Sequence, residues 1–164
     1  MYVLLDGVRS KFNVGAIFRT AEAFACTQIL LTGITPQLPD KDIEKTSLGS
    51  EKVLPWQYWQ YSLEAVQYLQ KKGVLIIAAE LDVNSVSLQE LHSVIHNKQI
   101  SYNKKDMPYC IVMGNEIDGV SKDILEVADI IVKIPMLGKI KESLNVGIAF
   151  GIITSWLRFA GGKK

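Results

Sequence analysis

An excess of charge of either sign is missing from this sequence. Eighteen Lys and Arg residues face seventeen Asp and Glu, for a formal net charge of +1. A globally basic field is therefore excluded, and any polyanion would have to be met by local clusters. Cysteine is scarce: Cys26 and Cys110 lie far apart in apolar surroundings. That argues for reduced, buried thiols in a cytosolic protein rather than a disulfide framework or a metal site. The opening run is broken by Asp6 and Arg9, so no charged-then-apolar leader is read. The apolar runs are too short or too interrupted to span a bilayer. These absences lead to the expectation of a soluble, cytoplasmic protein. Neither GxGxxG nor GxxxxGKS/T occurs, which argues against the common dinucleotide and triphosphate folds. His92 and His96 stand one helical turn apart, but HExxH and further ligands are lacking, so no metal is expected. Repeats, low-complexity tracts and linkers are also missing.

What is present points to one domain over residues 1–164. Hydrophobic residues make up 48% of the chain, enough for a substantial core. Tyr2–Leu5 is a short apolar run closed by Asp6 and Gly7, a buried strand by pattern. Val14, Ile17, Ala21 and Phe24 then recur at helical spacing, with Asn13 placed as N-cap. Arg19 lies six residues beyond Asn13, so both can border one cleft. Residues 28–32 form a second apolar run ending at Gly33, which completes a βαβ unit and implies a parallel sheet. Residues 42–52 suggest a short helix and a turn on the rim. Trp56, Tyr58, Trp59 and Tyr61 read as a connecting segment packed on the sheet rather than as a base-stacking platform. Residues 63–69 have helical spacing and stop at Gly73. Val74–Ala79 is an apolar strand followed by Glu80, Leu81 and Asp82, a polar strand end where α/β sheets place ligands. Residues 87–96 read as a modest helix and 97–107 as loop. Further strands follow at 108–113 and 130–134, with a helix capped by Ser121 between them.

The chain is organised around Ile134–Gly151. A strand meets Pro135, crosses a basic glycine-bearing loop, and enters an apolar helix at Ser143, Leu144, Asn145 and Val146. That last helix, read over 145–159, is apolar around nearly its whole circumference. One small domain rarely covers such a helix, so a partner subunit is expected. Three polar islands stand out, at 13–19, 114–119 and 135–145. Each lies at a strand end or strand-to-helix junction, so a parallel sheet would gather them along one edge. The fold class expected is a single doubly wound α/β domain with a mostly parallel sheet.

NVGAIFRTA, MGNEIDGV and IPMLG followed by SLNV resemble, in order, the three motifs of the SpoU (TrmH-type) branch of the SPOUT superfamily of RNA methyltransferases. The likeness spans nearly the whole chain. It implies methyl transfer from S-adenosyl-L-methionine to a ribose 2′-OH of tRNA or rRNA. It also implies a C-terminal trefoil knot and a homodimer formed through the C-terminal helix. Catalytic roles are implied for Asn13, Arg19, Glu116, Ser143 and Asn145. Gly114, Ile134 and Leu144 would hold the cofactor through backbone groups, Met136 would pack against it, and Ala79 would border the adenine. Arg9, Lys11, Lys139 and Lys141 would meet RNA phosphates. No metal and no membrane partner are implied, and without an added RNA-binding module the catalytic domain itself would hold RNA. In the third motif, four residues separate the glycine from the serine (139–142) where the family usually has three. A guanidinium stays protonated at neutral pH, so Arg19 is expected to clamp a phosphate and the hydroxyl bidentately. Phosphate, water or Glu116 would then take the proton. The alternatives are a SPOUT-type base methyltransferase, a non-catalytic RNA-binding subunit and a small-molecule binding module.

Overall fold

The computed structural model describes residues 1–103, 107–140 and 143–160. Seven strands form one sheet in the order β3-β2-β1-β6-β4-β7-β5, and every pairing is parallel. The central strands are β1 (Tyr2–Asp6), β2 (Gln28–Thr32), β4 (Leu75–Ala79), β6 (Tyr109–Gly114) and β7 (Ile130–Lys133). They are continuous apolar runs because both sheet faces are covered. Alternate side chains go to opposite faces. Val3, Leu5, Ile29, Leu31, Ile77 and Ile111 join one core. Leu4, Leu30, Ile76, Ala78, Cys110 and Val112 join the other.

Helices α1 (Lys11–Ala23), α2 (Lys41–Ser47), α5 (Leu91–Ser101) and α7 (Val146–Ser155) pack on the first face. Helices α4 (Ser62–Lys71) and α6 (Lys122–Val127) pack on the second. A short α3 (Ser50–Val53) follows α2. Close approach of α1 and α2 depends on Gly15, where a Cβ would land on Thr46 Oγ1 and the Ile43 carbonyl. The final helix ends in a π-helical turn, Trp156–Ala160.

Three local expectations need correction, and one strand is added to them. The aromatic segment is not a connector: Trp56–Trp59 is the edge strand β3, paired with β2 alone. A two-residue strand β5 (Val86–Ser87) closes the opposite edge against β7. The helix read over 87–96 begins as a 3-10 turn at Leu88–Glu90 and, as α5, runs on to Ser101, into residues expected to be loop. The N-cap of α1 is Ser10, whose hydroxyl accepts the Asn13 N–H at 3.3 Å, so Asn13 lies inside the first turn. No helix among the described residues is long and apolar enough to cross a membrane.

Register fixes where a ligand can sit. Asp6 is level with Thr32 and with Gly114, and Ala79 with Met113 and Val132. The strand C-termini therefore form one edge. Neighbouring strands β1 and β6 send their following helices to opposite faces, which opens a crevice between them at that edge.

Candidate active site

The crevice is bridged first by backbone. After β6 the chain folds into a tight loop closed by a reciprocal pair of hydrogen bonds between Asn115 and Gly119, both 2.9 Å. Asn115 Oδ1 accepts the Ile117 N–H at 2.8 Å, and its Nδ2 donates to the Gly7 carbonyl at 2.9 Å. The Ser121 N–H donates to the buried Asp6 carboxylate at 2.8 Å. This loop is thereby pinned to the end of β1, with Glu116 facing the start of α1.

The Glu116 carboxylate accepts the Arg9 N–H at 2.9 Å, the Ser10 N–H at 3.0 Å and Asn13 Nδ2 at 2.8 Å. A negative charge at the positive end of α1 is well placed. Burial pushes the Glu116 carboxyl up, but the bonds from Arg9, Asn13 and Ser10 outweigh it and leave the group below the ordinary glutamate range. Asn13 Oδ1 in turn accepts Asn145 Nδ2 at 3.0 Å. Asn145 caps α7, its Oδ1 accepting the N–H groups of Gly147 (2.9 Å) and Ile148 (3.3 Å). One hydrogen-bonded line, Glu116–Asn13–Asn145, thus joins residues 103 and 132 positions apart and ties all three polar islands together.

The line has a pH dependence that can be checked. A group with a lowered folded-state pKa stabilises above its unfolded pKa, about 4.3 for glutamate, and that contribution fades as pH falls through the lower folded value. Glu116→Gln is therefore expected to lower Tm by a few degrees at pH 7. The gap should close as thermal unfolding is repeated towards pH 3. A gap independent of pH would show that the ionised carboxylate contributes nothing.

Behind this line lies a cavity of about 350 Å³, within the range of small-molecule sites. Of the residues singled out for the cofactor, Ala79, Gly114, Ile134, Met136 and Leu144 all line it, together with Glu116, Ser143 and Asn145. Asn13 reaches the group through Asn145 rather than as part of the wall. Arg19 is elsewhere: it is exposed on α1 and does not line the cavity. The cavity wall thus includes neither Asn13 nor Arg19. Ala16 and Thr20 take the face of α1 that meets α7, within 3.9 Å of where Cβ atoms of Gly147 and Gly151 would stand. Arg19 lies beside that seam.

Of the four cations expected at phosphates, Arg9 and Lys139 are exposed, Lys11 is paired with Asp40 at 2.7 Å, and Lys141 lies outside the described residues. Among the described residues no group of three or more His, Cys, Asp or Glu side chains could hold a metal ion. Sequence reasoning assigned no role to Glu80, Asp118 or Lys133, all on the cavity wall. Glu80 had carried a signal as part of a polar strand end and Asp118 as part of the island at 114–119, while Lys133, inside a strand, had carried none.

A parallel α/β sheet with its cavity at the carboxyl edge, walled by the loops after β4, β6 and β7, defines a ligand-binding domain of the doubly wound class. More narrowly, residues 1–155 match the model of the SpoU rRNA Methylase family, and the chain belongs to that family. It is 30% identical over 151 residues to the tRNA (guanosine(18)-2′-O)-methyltransferase of Escherichia coli, covering 92% of this chain and 59% of that protein. It is 29% identical to a 23S rRNA (guanosine-2′-O-)-methyltransferase of Photobacterium profundum, covering 93% of this chain and 56% of that one. The chain thus spans somewhat over half the length of these curated relatives. Among solved structures, an AdoMet-bound rRNA methyltransferase from Sinorhizobium meliloti superposes with a TM-score of 0.78 at 30% identity, covering 94% of this chain and 54% of that one. The A. aeolicus TrmH/SpoU tRNA modifying enzyme gives 0.75 at 31%, covering 93% and 71%.

Proposed function

We propose that this protein transfers a methyl group from S-adenosyl-L-methionine to a ribose 2′-OH of tRNA or rRNA, in the cytoplasm, as a homodimer with a knotted C-terminal segment. The observation that carries the reading is the Glu116–Asn13–Asn145 line at the mouth of the cavity. It holds three strand-end segments in one arrangement beside a space suited to the methyl donor.

The cavity fits that donor in charge as well as size. Three carboxylates on its wall, Glu80, Glu116 and Asp118, face one ammonium, Lys133. An excess of negative charge favours a sulfonium ligand and opposes a nucleotide diphosphate. Ala79, Ile134 and Leu144 supply apolar surface for an adenine ring. When bound, S-adenosylmethionine supplies an activated methyl on a good leaving group. The protein's task is then chiefly alignment of the sugar oxygen with that methyl. Ser143 and Asn145, on the cavity wall, would orient the sugar. Glu116 is poorly suited to take the proton, because three N–H groups stabilise its ionised form. The proton therefore passes to solvent, since a phosphodiester oxygen is a weaker base still. Arg9 and Lys139 would meet the RNA backbone.

The dimer reading rests on α7. Val146, Phe150 and Ile153 face the core, while Ile148 is 57% and Phe159 73% exposed. These two, with Ile152 and Trp156, line an open groove. A second copy docked there would cover an apolar face beside the α1–α7 seam, where Gly151 meets Thr20, the neighbour of Arg19. Arg19 would then complete the partner's site, clamping a phosphate and the hydroxyl. Ile148→Glu is expected to convert the dimer to monomer in light scattering coupled to size exclusion. A variant that stays dimeric would place the interface elsewhere. The knot reading rests on topology. β7 lies beyond β4 and β6 from β1, yet Asn145 reaches Asn13 on α1, so the segment after β7 leads back across the sheet.

The activity itself is tested by titrating S-adenosylmethionine calorimetrically and then incubating protein and donor with bulk tRNA and rRNA. Nuclease digestion and mass spectrometry should show a ribose-methylated nucleoside. A methylated base, or binding without transfer, would overturn the reading.

A further inference from the structure

We propose that Glu80 receives the ribose hydroxyls of the cofactor's adenosine, an assignment that rests on the S-adenosylmethionine reading above. Glu80 directly follows β4, and its N–H donates to the Val132 carbonyl at 3.0 Å, extending the β4–β7 ladder by one step. Its half-buried side chain lines the cavity. The carboxylate is fixed in place: Oε2 accepts the Val120 N–H at 2.8 Å and Oε1 the Leu81 N–H at 2.7 Å.

An ionised carboxylate has about four acceptor positions. Two are used, which leaves one on each oxygen. A vicinal diol presents two O–H donors side by side and matches that vacancy. The remaining wall carboxylates match it less well. Glu116 already accepts three N–H groups from the start of α1, and Asp118 sits in the exposed turn of the β6–α6 loop. Position selects the diol over the other donor groups of the cofactor. Glu80 adjoins Ala79 in the chain and shares the cavity wall with Ile134, the apolar surface fitted to adenine, and the ribose is the next unit of the ligand.

The loop opposite makes room for the carboxylate. Gly119 has φ +73°, a conformation side chains rarely adopt, and a Cβ there would land on Glu80 Oε2. The same carboxylate braces the loop that presents Glu116. Glu80 is thus both a wall of the cofactor site and a strut of the polar line beside it.

The test is a binding cycle on the full chain by calorimetry. S-adenosylhomocysteine and its 2′-deoxy and 3′-deoxy forms are titrated into wild type and Glu80→Gln. In wild type, loss of a hydroxyl held by a charged acceptor should weaken binding by about 10-fold or more. In Glu80→Gln the parent ligand should bind more weakly, and removing a hydroxyl should then cost little. Braced-loop damage alone would weaken all three ligands equally, so equal deoxygenation losses in both proteins overturn the assignment. So does a wild type indifferent to both deoxygenations. If Glu80→Gln does not fold, Glu80→Asp, which keeps the charge but withdraws it by one methylene, runs the same cycle. Failure of wild type to bind S-adenosylhomocysteine would instead strike the cofactor reading itself.

Discussion

Methyl transfer by Arg19→Lys is expected to fall by about 10²- to 10³-fold, with affinity for S-adenosylmethionine unchanged. Lysine keeps the charge of Arg19 but loses the planar fork that can grip a phosphate and a hydroxyl together. Binding of the methyl donor should be indifferent, because Arg19 is exposed on α1 and does not line the cavity. The helix puts it about 9 Å along its axis from Asn13. Mixed dimers sharpen the expectation. A chain carrying Arg19→Ala, combined with a chain whose cavity cannot bind the cofactor, should recover activity at the one site that has both a working cavity and a partner's Arg19. Full activity in Arg19→Lys would remove bidentate positioning. Normal activity in Arg19→Ala would remove the residue from the chemistry altogether.

The fold was legible where burial is two-sided. Strands β1, β2, β4, β6 and β7 are covered on both faces and stand out as unbroken apolar runs. The edges were not legible. Trp56–Trp59 has one neighbouring strand and half-buried side chains, so neither alternation nor a continuous run marks it. Val86–Ser87 is too short to carry any period. The site shows the same division. The three polar islands could be placed at one sheet edge because parallel strands all end there. Their internal wiring could not, since it consists of contacts over a hundred residues apart in sequence. Asn13 illustrates this. Ser10 and Asn13 are both good capping residues, and local reasoning gave the cap to Asn13. The fold gives the cap to Ser10 and leaves the Asn13 side chain free for Glu116 and Asn145. Arg19 was less legible: six residues from Asn13, it stands about 120° away around the helix, exposed and off the cavity wall.

A single methyl group at Gly114 is expected to cost about 2–3 kcal/mol of stability and to abolish cofactor binding. Gly114 is the last residue of β6 and is paired with Asp6. A Cβ there would land on the backbone of Gly119 and Val120. Backbone cannot swing aside as a side chain does, so Gly114→Ala must open the Asn115–Gly119 closure and displace the loop that carries Glu116. Two other glycines grade the effect. Gly119→Ala meets the Glu80 carboxylate, which can yield by giving up its bond from Val120, and adds left-handed strain at φ +73°, so it should destabilise while leaving part of the cavity intact. Gly138→Ala has nothing within 4 Å of its Cβ and should lie within about 0.5 kcal/mol of wild type. Urea denaturation of the three variants should therefore place Gly138→Ala at the wild-type midpoint and Gly114→Ala well below it, with calorimetry showing cofactor affinity lost in the latter. A Gly114→Ala protein with wild-type midpoint and affinity would mean that the end of β6 can move away from its loop. The Glu116–Asn13–Asn145 line would then lose the rigid support from which its positioning role has been argued.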